Sequence, residues 1–178
     1  MLPDYCIPTQ TWMRELESKG YRVVDVPTPL NQDKMYEGHL DNWGIDDILI
    51  CGQDNVGSVE LIEEMKNCDH QFCASPCEIY PASLGKEGRM INMIDFVETP
   101  HGVEQKLYDM KYLHTKEFVN GICGGGLSMI KKELQLKMDI VKNRFHHQNS
   151  DYMLSKLALP NLPQGFHLHG LHEHMKKF

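Results

Sequence analysis

The stretch Asp47-Ile48-Leu49-Ile50-Cys51-Gly52-Gln53-Asp54-Asn55 decides how the chain reads. An apolar run that stops at a polar, glycine-containing turn reads as a strand. Behind the turn, Ser58 to Lys66 reads as a helix with Glu60, Glu63 and Glu64 on its wet face, and Phe72-Cys73-Ala74-Ser75 as the next strand. Strand, helix and strand in alternation predict an α/β architecture, a mainly parallel central sheet flanked by helices.

Upstream, Thr9 to Gly20 predicts a helix capped by Thr9 or Thr11 and ended by Gly20, and Tyr21 to Val26 a strand closed by Pro27. Residues 31–43 are weakly helical. Downstream, Pro81 to Arg89 reads as a mobile loop, Arg89 to Phe96 as a strand, and Pro100 to Lys116 as a polar stretch with scattered apolar residues. Gly121 to Gly126 reads as a glycine turn opening a short helix at Leu127, and Ser150 to Leu159 as a helix stopped by Pro160 and Pro163.

With 178 residues and no repeat or linker to divide them, the chain is expected to be a single domain. A net charge of -7 argues against a broad nucleic-acid footprint, which needs surplus positive charge. It leaves room for a phosphorylated ligand held by a metal or by backbone N–H groups. No apolar run is long enough to span a bilayer, and the Met1-Leu2-Pro3-Asp4 start lacks a secretory pattern, so a cytoplasmic protein with reduced thiols is expected.

Three groups of residues could carry chemistry. Asp54 and Asn55 follow the carboxyl end of a strand, where open sheets bind ligands, and a carboxylate there can hold a hard cation; as ordinary turn residues they also suit the entry to the next helix. His167 and His169 alternate, as do His172 and His174, which puts pairs of imidazoles on one face of an extended segment. Asp151 opens a helix behind a polar run, where it is either a general base or simply a favourable first-turn acid. The glycines 124–126 permit close backbone approach but do not form a dinucleotide fingerprint. Cys68, His70, Cys73 and Cys77 contain zinc-ligand chemistry in a spacing that matches no paired-knuckle pattern.

Taken in order, these segments resemble small glycosyltransferases of the GT-A type, in the family-2-like group. The segments that carry the resemblance are Asp47 to Val56, Cys68 to Pro76, the glycine stretch 121–128 and His167 to His172. It implies a single GT-A-like, Rossmann-like domain over residues 1–178, with a His-rich tail from about residue 164 closing the site. It implies a nucleoside-diphosphate-sugar donor, a hydroxyl acceptor and an inverting, Mn²⁺- or Mg²⁺-dependent transfer. Asp54, the retained acid of a D-x-D-type motif that here reads Gly52-Gln53-Asp54, would hold the cation with His169 or His172. Asp151 would be the catalytic base. Pro8, Thr9 and Asp25 would border the nucleotide, with Gln53 beside the diphosphate and Gly124 and Gly125 near the sugar.

Two other readings fit the same residues. One is a non-catalytic sugar-nucleotide or partner-binding module, motivated by the missing first acid. The other is a small zinc protein built on Cys68, Cys73, Cys77 and the tail histidines. The brevity of the chain leaves little room for a large acceptor subdomain, which a partner protein or a homo-oligomer could supply.

Overall fold

A computed structural model of the protein describes residues 7–24, 38, 40–52, 55–79, 90–109, 113, 121–123, 127–140, 150–171 and 173–174. The elements, in chain order, are α1 (Ile7–Ser18), β1 (Ile48–Ile50), β2 (Asn55–Val56), α2 (Val59–Lys66), β3 (Phe72–Ser75), β4 (Glu78–Ile79), β5 (Met90–Thr99), β6 (Gly102–Asp109), β7 (Gly121–Cys123), β8 (Leu127–Ile130), α3 (Lys132–Gln135), α4 (Ser150–Ala158), β9 (His167–Leu168) and β10 (Glu173–His174). The protein is thus a mixed α/β structure.

Its central sheet has the order β1-β8-β3-β9. Strand β8 runs antiparallel to both β1 and β3, while β9 runs parallel to β3. Three strands therefore share one direction and β8 opposes them. The expected mainly parallel sheet becomes a mixed one, in which β3 and β9 form the one parallel ladder among the described residues. The cause is Leu127 to Ile130, expected to open a helix but extended here. Leu127 and Met129 turn to one face and Ile130 to the other, so the segment fills a slot buried on both sides, and the helix waits until Lys132.

Each face of this sheet carries its own core. On one face Trp12 and Leu16 of α1 and Leu61, Ile62 and Met65 of α2 cover Cys73, Leu127 and Met129. On the other, Leu134, Leu154 and Ala158 from α3 and α4 join Ile91 and Met93 of β5 over Phe72, Ala74, Ile130 and Leu168. Alternation fixes the register. A one-residue slip of β3 would exchange Phe72 and Ala74 with Cys73, and fully burying a Phe contributes roughly 1.5–3 kcal/mol.

Local signals explain the helix limits. Ser58 caps α2 by accepting the Leu61 N–H, as its sequence position suggests. Helix α1 ends in a Schellman motif: the Tyr21 N–H donates to the Leu16 carbonyl and the Gly20 N–H to that of Glu17, with Gly20 at φ +87°. That motif releases the chain as irregular backbone over residues 21–24, so the strand expected at Tyr21 is absent there; the rest of that segment, with Asp25, lies outside the described residues. Helix α1 starts before the expected Thr9: Ile7-Pro8-Thr9 forms its first turn, where a proline costs no hydrogen bond. Helical backbone at residue 38 and over 40–42 agrees with the weak pattern at 31–43.

A second sheet, β4-β5-β6 with β7 on β5, rests on the α4 side. Strand β5 follows the expected strand from Met90 to Phe96 and runs on to Thr99, where a tight turn pairs Thr99 with Gly102. Strand β6 occupies part of the polar stretch that carries no clear strand signal. The loop expected over Pro81 to Arg89 lies outside the described residues. No helix among the described residues is long and apolar enough to cross a membrane.

Candidate functional site

The registers bring separate segments to one edge of the central sheet. Ile50, near the carboxyl end of β1, stands opposite Ser128, and Ser75, at the carboxyl end of β3, opposite Leu127 at the start of β8. Beyond β9 the His169 N–H donates to the Ala74 carbonyl (2.9 Å), and Ser75 Oγ, fully buried, donates to the Gly170 carbonyl (2.6 Å). The edge thus gathers the exits of β1, β3 and β9 and the entry to β8. In sequence, Gln53 and Asp54 leave from the first, and Gly124 and Gly125 arrive at the last.

The flanks of Gln53 and Asp54 are held firmly. The Asn55 N–H donates to the Gly52 carbonyl (3.2 Å), closing the chain on either side of them. Asn55 is 2% exposed, and its carbonyl accepts from Thr9 Oγ1 (3.4 Å) and Cys51 Sγ (3.7 Å). The C-terminal segment then crosses to this corner. Strand β10 pairs with β2, His174 opposite Asn55 and Glu173 opposite Val56. A tail read from sequence as closing the site therefore pairs with the residue that follows Asp54.

A second constellation lies on the α2 face of the same sheet. Cys73 stands in register with His167 on the neighbouring parallel strand, and His169 follows two residues on. Cys68, just past the end of α2, brings its Sγ to 2.8 Å from His167 Nδ1 and 3.7 Å from His70 Nδ1. Ligand atoms of Cys68, Cys73, His167 and His169 all lie within 4.8 Å of one another. The His167 ring lies tilted against those of His169 and His70, with centroids 4.4 Å and 4.5 Å away. Glu64 of α2 approaches His169 Nδ1 at 3.4 Å. Burial pushes the Cys73 thiol well above its ordinary value, Cys68 adds to the rise by hydrogen bond and charge, and Lys131 opposes it.

The expected site residues divide between these places. Asp25, Gln53, Asp54, Gly124, Gly125 and His172 lie outside the described residues. Asp151 lies in the first turn of α4, as expected, and that helix packs along β7, the strand leading to the glycines. Pro8 is exposed on α1, whereas Thr9 is 1% exposed and spends its hydroxyl on Asn55. His169, expected to complete a Mn²⁺ or Mg²⁺ site with Asp54, is buried against two thiols and a second imidazole instead. Soft sulfur ligands do not suit those hard cations.

The sequence-read quartet of Cys68, His70, Cys73 and Cys77 is also revised. Cys77 is outside the group, His70 lies beside it, and His167 and His169 take the two remaining positions. The signal was present as two alternations, Cys73 on a strand and His-x-His in the tail. The missing fact was that β9 docks beside β3. Comparison of the chain with protein-family models, curated proteins and solved structures gives no match.

Proposed function

We propose that the protein is a GT-A-type glycosyltransferase that moves a sugar from a nucleoside-diphosphate-sugar donor to an acceptor hydroxyl with inversion. The observation that carries this reading is the shared edge where β1, β3 and β9 end and β8 begins. Ligands of open α/β sheets bind beyond the carboxyl ends of strands. The described residues that flank Asp54 and the glycine stretch meet the tail near that edge, which supports the reading drawn from the resemblance.

In this reading Asp151 accepts the acceptor hydroxyl's proton as its oxygen bonds to the anomeric carbon and the diphosphate oxygen departs with the bonding pair. Asp54 and His172 are the proposed holders of a Mn²⁺ or Mg²⁺ ion, His169 being committed to the thiol cluster. Such a cation, when bound, offsets charge on the departing diphosphate. The hydrogen bonds at Gly52 and Asn55 and the β2–β10 pairing support the reading because they fix the chain on both sides of Asp54. Preorganised groups of this kind stabilise developing charge without rearranging.

Calorimetric titration with a panel of nucleoside diphosphates and their sugars, each with Mn²⁺, Mg²⁺ or EDTA, tests it. One nucleotide should bind in a metal-dependent way and lose affinity on Asp54→Ala. Binding without turnover of any sugar would favour the non-catalytic module, and no binding would overturn the proposal.

A further inference from the structure

We infer that Cys68, Cys73, His167 and His169 form a zinc site that fastens β9 to the α2–β3 unit. Two thiolates and two imidazoles are a donor set suited to tetrahedral Zn²⁺, and four protein ligands make a closed, structural site. With Zn–S near 2.3 Å and Zn–N near 2.0–2.1 Å, tetrahedral ligand atoms stand about 3.3–3.8 Å apart. The four side chains already gather within 4.8 Å, so small side-chain adjustments bring them to that spacing. They come from three separate places: the chain after α2, the middle of β3, and β9 with the residue that follows it.

The surroundings fit an ion better than bare thiols. Cys73 and His169 are buried and Cys68 and His167 half-buried, and the two sulfurs adjoin the apolar cluster that includes Leu61 and Met65, which crowds polar groups into a largely apolar setting. Glu64 at His169 Nδ1 is the carboxylate–imidazole arrangement that orients a metal-bound histidine, and it leaves Nε2 as the nitrogen for the ion. The ion would hold β9 on β3 and so fix the departure of the tail toward β2, which connects it with the sheet edge without making it a reactant.

The test uses the full-length protein. Elemental analysis after purification without chelator should give one zinc per chain. Replacement by Co²⁺ should produce tetrahedral d–d absorption with thiolate-to-cobalt charge-transfer bands, diagnostic because zinc itself is silent. Cys68→Ser, at a partly exposed position, should weaken Co²⁺ binding by more than the roughly 10–100-fold loss that follows removal of an outer partner of a metal ligand. Cys51→Ser, a thiol outside the cluster, should leave the spectrum unchanged. Free Zn²⁺ at about a thousand times its Kd should raise Tm by roughly 8–16 °C over the chelated protein. Absence of the charge-transfer bands, or their survival in both Cys68→Ser and His167→Ala, would overturn the site.

Discussion

Replacing Gln135 with Met should cost the fold far more than its place at the end of a four-residue helix suggests. The side chain is fully buried. Its Nε2 donates to the carbonyls of Asp46 and Ile130, each at 2.8 Å, and its Oε1 accepts the Gly44 N–H at 2.7 Å. These three bonds tie α3 to the chain entering β1 and to the end of β8, two strands that meet at the proposed site. Methionine preserves the volume and leaves all three backbone groups without their partner. The Ile130 carbonyl is buried and loses about 1–3 kcal/mol, and the two partly buried groups lose about 0.5–1.5 kcal/mol each. The sum is about 2–6 kcal/mol, with about 3 as the working value. At a urea m-value of about 2 kcal/mol/M, the unfolding midpoint should fall by about 1.5 M with m unchanged. Gln135→Glu should be at least as damaging, because it sets a carboxylate against two carbonyl oxygens. A midpoint shift below about 0.5 M for Gln135→Met would refute the assigned bonding.

Gly57 offers a tighter test of packing beside Asp54. A Cβ there would stand 2.6 Å from Leu127 Cδ1 and 3.3 Å from Trp12 Cζ2, both in the buried core, so Gly57→Ala should destabilise by about 1–3 kcal/mol in urea unfolding; a neutral result would mean that α1 and β8 do not close on this turn. Tyr21 donates its hydroxyl to the Glu63 carboxylate, and burial first, with that carboxylate second, pushes the phenol up to about 12 from 10.0. Because the fold favours the neutral phenol, its contribution is complete below pH 10.0 and is lost as pH rises toward about 12. Tyr21→Phe should therefore flatten the alkaline decline in urea midpoint, and an unchanged decline would remove Tyr21 as its source.

The helical and strand punctuation of the first half was open to reading because it rests on local chemistry. Ser58 before an amphipathic run, Gly20 after another, and the apolar run Ile48 to Ile50 each carry their own signal. Residues 127–130 misled for a physical reason: a short apolar run after glycines suits a helix start as well as a strand, and only β1 and β3 on either side decide for the strand. The His167/His169 alternation marks strand β9 as extended, and the zinc reading groups the tail histidines with Cys68 and Cys73, but the parallel register of so short a strand on β3 carries no local signal. For the candidate site, the sequence pointed to the exit of β1 and to the tail, which the registers bring to one edge. Of the two settings the sequence offers His169, a hard-cation site with Asp54 or a group with Cys68 and Cys73, the structure places it beside the thiols, because the side of the sheet a tail histidine faces is set by tertiary pairing.

The central claim turns most directly on Asp151. Wild-type protein and Asp151→Asn should be compared for release of nucleoside diphosphate from a panel of nucleotide-sugars with simple glycoside acceptors, and binding of the same donors measured alongside. The account predicts one donor turned over by the wild type, with Asp151→Asn binding it equally while turnover falls by about 10²-fold or more. Equal turnover by both proteins, or no donor consumed by either, would contradict it.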